Sequence, residues 1–171
     1  HYFRGVVGNG VTHAVERTTV ETPGLDFAAL TCGDGDEYAL LFHGFPDTPE
    51  TFEPLMGRLA DEGYTAVAPY MRGYGDTERP PVEPGNYETL LLGSDVLSVT
   101  AALGATDPLV VGHDWGAIAV TAASVADADA LGTAVTMAVP PNFMAQLDDY
   151  ASQALRSWYM TEFQIPGHGE E

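Results

Sequence analysis

Lysine is absent from this chain, and Cys32 is its only cysteine. With one thiol there can be no internal disulfide, which fits a reducing compartment, and Cys32 is expected as a buried structural thiol. Long hydrophobic runs are absent too. The longest, such as Tyr38 to Phe42 and Leu109 to Val111, are strand-sized, far from the roughly 20 apolar residues of a membrane helix. A membrane partner is therefore not expected. No basic segment followed by an apolar stretch and a small-residue cleavage site is present, so a cytoplasmic location is expected. No paired spacing such as His-x-x-x-His occurs, so neither a metal nor another cofactor is expected.

Charge of one sign is scarce. Against 25 acidic residues stand six arginines, giving a formal net charge of -19 in 171 residues. Such a chain repels a phosphate backbone, which excludes nucleic acid as a partner. Ordinary acidic proteins still use lysine. Carboxylates in excess without lysine suit a surface that stays hydrated in concentrated salt, where a Debye length of about 3 Å screens the self-repulsion. A halophilic source is expected.

Hydrophobic residues make up 45% of the chain and are spread along it, enough for one sizeable core. Residues 1–10 read as an N-terminal extension. From there short apolar runs alternate with longer helical patterns. His13 to Thr22 and Leu25 to Thr31 read as strands around a Pro23-Gly24 turn. Tyr38 to Phe42 is a continuously apolar strand of the kind buried on both faces. Pro49 to Asp61 reads as a helix with Thr48 or Asp47 as N-cap and Gly63 beyond its end, and Tyr64 to Ala68 as the next strand. Tyr70 to Gly85, rich in Pro and Gly, is a loop. A helix over Tyr87 to Leu103, a strand over Pro108 to Gly112, a helix from Trp115 to about Ala126 and a strand over Thr133 to Val139 follow. Pro140-Pro141 ends the alternation, and Phe143 to Phe163 reads as one more helix. Strand-helix alternation of this kind predicts an α/β fold, a predominantly parallel sheet with helices on both faces.

The chemistry concentrates at two strand ends. Gly112-His113-Asp114-Trp115-Gly116 places Gly-x-Asp-x-Gly where a strand turns sharply into a helix, a spacing that lifts the central side chain above the sheet while small flanking residues let the backbone pass. A carboxylate is already ionised at neutral pH, and a helix N-terminus favours its charge. Asp114 can therefore attack carbon directly and form an ester. Earlier, the third strand ends in His43-Gly44-Phe45-Pro46, where Gly permits a turn that exposes the next N–H. In such a fold the N–H groups of Phe45 and Trp115 converge on one oxyanion position. His43 and His113, inside these motifs, are expected to support the turns by hydrogen bonding. His13 falls on an early strand, and His1 and His168 lie in the tails.

Together with Arg72-Gly73-Tyr74-Gly75-Asp76-Thr77 and the Val139-Pro140-Pro141 exit, these motifs resemble, in order and spacing, the α/β-hydrolase superfamily, and within it the epoxide hydrolases and their haloalkane dehalogenase cousins. The resemblance covers nearly the whole chain after about residue 12. It extends to Ser157-Trp158-Tyr159-Met160 and Phe163-Gln164-Ile165-Pro166-Gly167, which look like the start of the family's lid. The core is thus expected over 11–141 and the start of the lid over 142–171. The resemblance implies a small-molecule substrate, an epoxide or a haloalkane, lined by Phe45, Trp115 and Tyr159. It also implies that Tyr159 donates a hydrogen bond to the epoxide oxygen, neutralising a poor leaving group. Tyr150 is expected to pack.

In the family a histidine oriented by an acid activates the water that cleaves the ester, and both come after the lid. His168 falls inside the lid segment, and no carboxylate lies near Met137 to Val139. Both groups are expected beyond residue 171, and the chain alone is expected to be inactive or limited to a single turnover. A dehalogenase usually has a second halide donor, often Asn in place of Phe45; Phe45 offers none. A non-catalytic fragment or interaction protein is the remaining alternative, and an exposed sheet edge would favour self-association.

The charge balance yields the first prediction. The melting temperature should rise steadily between about 0.1 M and 2 M potassium chloride, as followed by circular dichroism; a flat or falling curve marks an acidic protein with no adaptation to salt.

Overall fold

The apolar run ending in Phe42 forms the strand on which the rest is built. In the computed structural model, which describes residues 13–83, 85–140 and 157–159, this strand is β3 (Glu37–Phe42). It pairs in parallel with β4 (Tyr64–Pro69) on one side and β5 (Leu109–His113) on the other. Beyond β5 lies β6 (Thr133–Met137), also parallel. Beyond β4 lie β2 (Asp26–Cys32) and then β1 (Val15–Glu21), each antiparallel to its neighbour. The order β1-β2-β4-β3-β5-β6 is that of a mostly parallel, mixed sheet. The two antiparallel strands are the ones joined by the short Pro23-Gly24 turn, which is too short for a crossover to a parallel neighbour.

Alternation along β3 assigns the two faces. Ala39 and Leu41 pack with Phe52, Met56 and Ala60 around α1 (Glu53–Asp61). Leu40 and Phe42 pack on the other face with Leu92, Val96 and Val99 of α2 (Thr89–Ala102) and with Ala119, Val120 and Ala123 of α3 (Trp115–Ala126). Helices thus cover both faces, and every residue from Ala39 to Phe42 is buried. Cys32 is buried on the α1 face, where burial, aided by the charge of Asp61, raises its thiol pKa.

Several element ends differ from the sequence expectation, the strand ends by a residue or two. The helix expected from Pro49 begins as a 3-10 turn, Pro49–Phe52, before α1. Thr48 is its N-cap by position, but neither Thr48 nor Asp47 caps it by a side-chain hydrogen bond. Proline at the first helical position needs no donor there, so the turn forms without a cap. α2 begins at Thr89 rather than Tyr87, because Tyr87 lies in a turn and its hydroxyl donates to the Pro80 carbonyl at 2.8 Å. β6 stops at Met137 rather than Val139, because Ala138 adopts a positive φ of 69°. A short 3-10 turn, Ala128–Ala130, intervenes before β6. The helix expected over 143–163 lies outside the described residues except at Ser157 to Tyr159, where Trp158 and Tyr159 are helical.

The chain comprises two compact units, His1–Val139 and Pro140–Glu171. Among the described residues no helix is long and apolar enough to cross a membrane. β6 forms the outer edge of the described sheet, and Val135 and Met137 on it are exposed.

One ion pair ties the long segment between β4 and α2 to α2, beside the hydrogen bonds that join it to β2 and His43. Arg72 donates from Nε and Nη2 to the two carboxylate oxygens of Asp95 on α2, at 2.6 and 2.5 Å, and from Nη1 to the Asn86 carbonyl at 2.6 Å. Both side chains are nearly buried. Burial raises the Asp95 carboxyl pKa, and the guanidinium offsets only part of that rise. Removing one partner of such a pair leaves an uncompensated buried charge. Asp95→Leu should therefore lower stability by about 3–5 kcal/mol, read as a shift of the urea midpoint; a variant as stable as the parent shows that the loop is held by other contacts.

Candidate active site

Because β3, β4 and β5 run parallel, their carboxyl ends lie on one edge of the sheet, where open α/β sheets bind ligands. β5 ends at His113, and the chain reverses into α3 through Asp114, whose φ of 54° and ψ of -116° are unusual for a residue with a side chain. A sparsely populated conformation of this kind costs about 1–3 kcal/mol and persists only where the surroundings over-determine it. They do so here. The Asp114 N–H donates to the Met137 carbonyl at the end of β6 (3.2 Å), and its carbonyl accepts from Ala117 (3.0 Å) and Ile118 (3.3 Å), starting α3. The reversal brings α3 so close to β3 that a Cβ on Gly116 would overlap the carbonyl of Phe42. The glycine is demanded by that approach.

The end of β3 reaches the same place. The Phe45 N–H donates to Asp114 Oδ1 at 2.9 Å. Gly44 lies against the Asp114 side chain, and any Cβ there would collide with the carboxylate. Trp115 is the first residue of α3, where N–H groups have no intrahelical acceptor. A carboxylate thus projects from a strained elbow, with one oxygen held by a backbone donor and the helix N-terminus directly behind it.

His43 fixes that donor. Its ring is fully buried. Nε2 lies 3.1 Å from the Met71 N–H, which can only donate, so Nε2 accepts and the proton sits on Nδ1, which donates to the Gly44 carbonyl at 3.0 Å. The Gly44 carbonyl and the Phe45 N–H belong to one planar peptide and point in opposite directions. Holding the first therefore aims the second at Asp114. The Tyr74 ring meets the imidazole edge-on, with centroids 4.8 Å apart and planes at 80°. Burial, and then the negative charge of Asp114, raises the Tyr74 phenol pKa.

Asp114, Phe45, Trp115 and His43 are brought together. His113 sits on the outer side of the turn, partly exposed, with Nδ1 3.9 Å from Asp47. His13 lies 3.5 Å from Asp61, away from this edge. Tyr159 belongs to the unit Pro140–Glu171, where it is half-exposed on its helical turn. Tyr150, His1 and His168 lie outside the described residues. Among the described residues no group of three or more His, Cys, Asp or Glu is arranged to hold a metal. Tyr74 and Asp95 were not singled out from sequence. Asp95 is the only charged residue of α2, and that isolation was the available signal.

The model of the alpha/beta hydrolase fold family matches residues 40–167, which include both strand-end motifs. The chain belongs to the α/β-hydrolase fold family. This α/β-hydrolase is 32% identical over 161 residues to epoxide hydrolase 3 of Siraitia grosvenorii, covering 92% of the chain and 50% of that protein. It is 34% identical over 155 residues to epoxide hydrolase A of Mycobacterium tuberculosis, covering 86% and 47%. Among solved structures, epoxide hydrolase VrEH1 from Vigna radiata superposes with a TM-score of 0.77 at 31% identity, over 91% of this chain and 52% of that one. The chain is epoxide hydrolase-like and spans about half the length of the curated relatives it matches.

The buried imidazole gives the site a pH signature. Burial lowers the His43 pKa in the folded chain, while Gly44, Asp47 and Glu50 pull it upward without cancelling the effect. As pH falls below about 6.5, the ordinary histidine value, the unfolded chain takes up this proton before the folded one and the equilibrium shifts toward unfolding. Stability from this residue is full above that pH and lost below it. In molar salt, the stability advantage of the parent over His43→Gln should shrink between pH 7.5 and pH 5.5; an advantage independent of pH shows that His43 does not titrate with unfolding.

Proposed function

We propose that this chain carries out the ester-forming step of an epoxide hydrolase. Asp114 Oδ2 attacks an epoxide carbon, the carbon–oxygen bond breaks, and its electron pair passes to the ring oxygen. Tyr159 hydrogen-bonds that oxygen and gives it the phenol proton, leaving a hydroxyl on the opened ring and a tyrosinate on the protein. Oδ1, held by Phe45 N–H, becomes the carbonyl oxygen of the alkyl ester, with Trp115 N–H as the second donor. His43 and His113 steady the turns on either side. Phe45 and Trp115 border the substrate.

The observation that carries this reading is the 2.9 Å hydrogen bond from Phe45 N–H to Asp114 Oδ1 across a positive-φ elbow. An aspartate that merely capped α3 would accept from the helix's own N–H groups, and Asp114 shows no such side-chain cap. The epoxide hydrolases among the relatives supply the substrate class.

Breaking the ester needs a base facing the acyl carbon. Among the described histidines, His43 has both ring nitrogens engaged, while His13 and His113 lie against Asp61 and Asp47. The 171-residue chain is therefore expected to stop at the ester. Incubation with styrene oxide should add one epoxide mass per chain, mapped to Asp114 by peptide mass spectrometry, and Asp114→Ala should abolish the adduct. Sustained diol formation by the purified chain, or labelling centred on another residue, would overturn the proposal.

A further inference from the structure

Thr77 ends the motif Arg72-Gly73-Tyr74-Gly75-Asp76-Thr77 and is a polar residue with only 2% of its surface exposed. Two successive turns fold it back onto the end of β4, closed by Tyr74 N–H to the Met71 carbonyl and by Thr77 N–H to the Tyr74 carbonyl. Gly75 makes the return possible, since its φ is 52° and a Cβ on it would collide with the Tyr70 ring. The hydroxyl lands inside the sheet ladder. Ala29 pairs with Pro69, so the next pair outward is Ala28 with Tyr70, and the Tyr70 N–H donates to the Ala28 carbonyl at 2.8 Å. An antiparallel pair of that kind exchanges two such bonds. Here the second is replaced: Ala28 N–H donates to Thr77 Oγ1 at 3.1 Å, and the hydroxyl donates to the Tyr70 carbonyl at 2.7 Å.

The inserted hydroxyl acts on the far side of the Tyr70–Met71 peptide. That peptide is planar, so holding its carbonyl fixes the direction of the Met71 N–H, which donates to His43 Nε2 at 3.1 Å. This bond leaves the ring proton on Nδ1, which holds the Gly44 carbonyl at 3.0 Å, and the Phe45 N–H is thereby aimed at Asp114 Oδ1, 2.9 Å away. From Ala28 to Asp114 each group accepts from the one before and donates to the next. Bonds aligned in one direction polarise one another. We infer that Thr77 is a positioning residue for Asp114: its hydroxyl, through the Tyr70–Met71 peptide, selects the Nδ1–H tautomer of His43 and so sets the direction and strength of the Phe45 donor. Its effect on alkylation rests on the epoxide reading above, whereas the tautomer stands apart from that reading.

In nitrogen-15-labelled chain, NMR should show His43 Nδ1 protonated and Nε2 unprotonated, with a coupling across the hydrogen bond from Nε2 to the Met71 amide nitrogen. Thr77→Val keeps the side-chain volume nearly unchanged and removes the hydroxyl. It should populate the Nε2–H tautomer, lose the coupling and move the Phe45 amide proton upfield, while Thr77→Ser should keep the parent pattern. Asp114 alkylation by styrene oxide should slow about tenfold in Thr77→Val, less than the roughly 10²–10³ of losing a donor outright, and recover in Thr77→Ser. Thr77→Ala, which sets no methyl group against the Tyr70 carbonyl, carries the same measurements if the valine variant does not fold. A parent His43 protonated on Nε2 overturns the inference, as do parent-like His43 and Phe45 signals in a folded valine or alanine variant. Alkylation at the parent rate in a variant with an altered tautomer also overturns it and leaves the epoxide reading intact. Altered signals with no adduct on the parent chain support the relay and sink the epoxide reading instead.

Discussion

One peptide plane, that between Gly44 and Phe45, is the element on which the site depends. Its carbonyl is held by the Nδ1–H of His43 and its N–H by the Asp114 carboxylate. The same imidazole accepts from Met71 just past β4, so the ends of β3 and β4 and the turn after β5 are fixed to one another through three hydrogen bonds. This arrangement requires the three strands to be parallel neighbours, which the order β4-β3-β5 provides. It also requires no side chain at Gly44. A donor preset toward one carboxylate oxygen needs no reorganisation when charge moves on that oxygen, as the proposed reaction requires.

Holding Asp114 at positive φ costs about 1–3 kcal/mol, and the neighbouring structure must exceed that. The two hydrophobic clusters on either face of β3 do so by large margins, since each fully buried Val, Leu or Phe contributes about 1.5–3 kcal/mol. Positive charge is used sparingly. Arg17 sits exposed within 3.5 Å of Glu50 and 3.6 Å of Asp76, a surface arrangement of little energetic weight. Arg72, by contrast, is buried and ties the segment between β4 and α2 to Asp95.

Much of this was legible in the sequence because it is local. Both strand-end motifs are contiguous, and the glycine spacing within each reports directly on how near the backbone must pass. The continuous apolar run of β3 marked the central strand, and the helix over Trp115 to Ala126 was read to its ends. What could not be read there depends on distant partners. The bond between Arg72 and Asp95 joins residues 23 positions apart in different elements. The role of Tyr74 arises from an edge-on meeting with His43, to which no spacing points. The start of α2 failed for a related reason, as Tyr87 was drawn into a turn by its hydrogen bond to Pro80.

The Asp114 amide is tied to the last residue of β6, through its N–H to the Met137 carbonyl. That strand is the outermost of the described sheet, and its far side carries a row of backbone groups able to accept another strand. The position of Asp114 is therefore one hydrogen bond removed from the rim of the sheet. Pairing that stiffens β6 also stiffens the elbow, and fraying of β6 loosens it. This edge strand thereby contributes, beside the Phe45 N–H and the first turn of α3, to how firmly Asp114 is held.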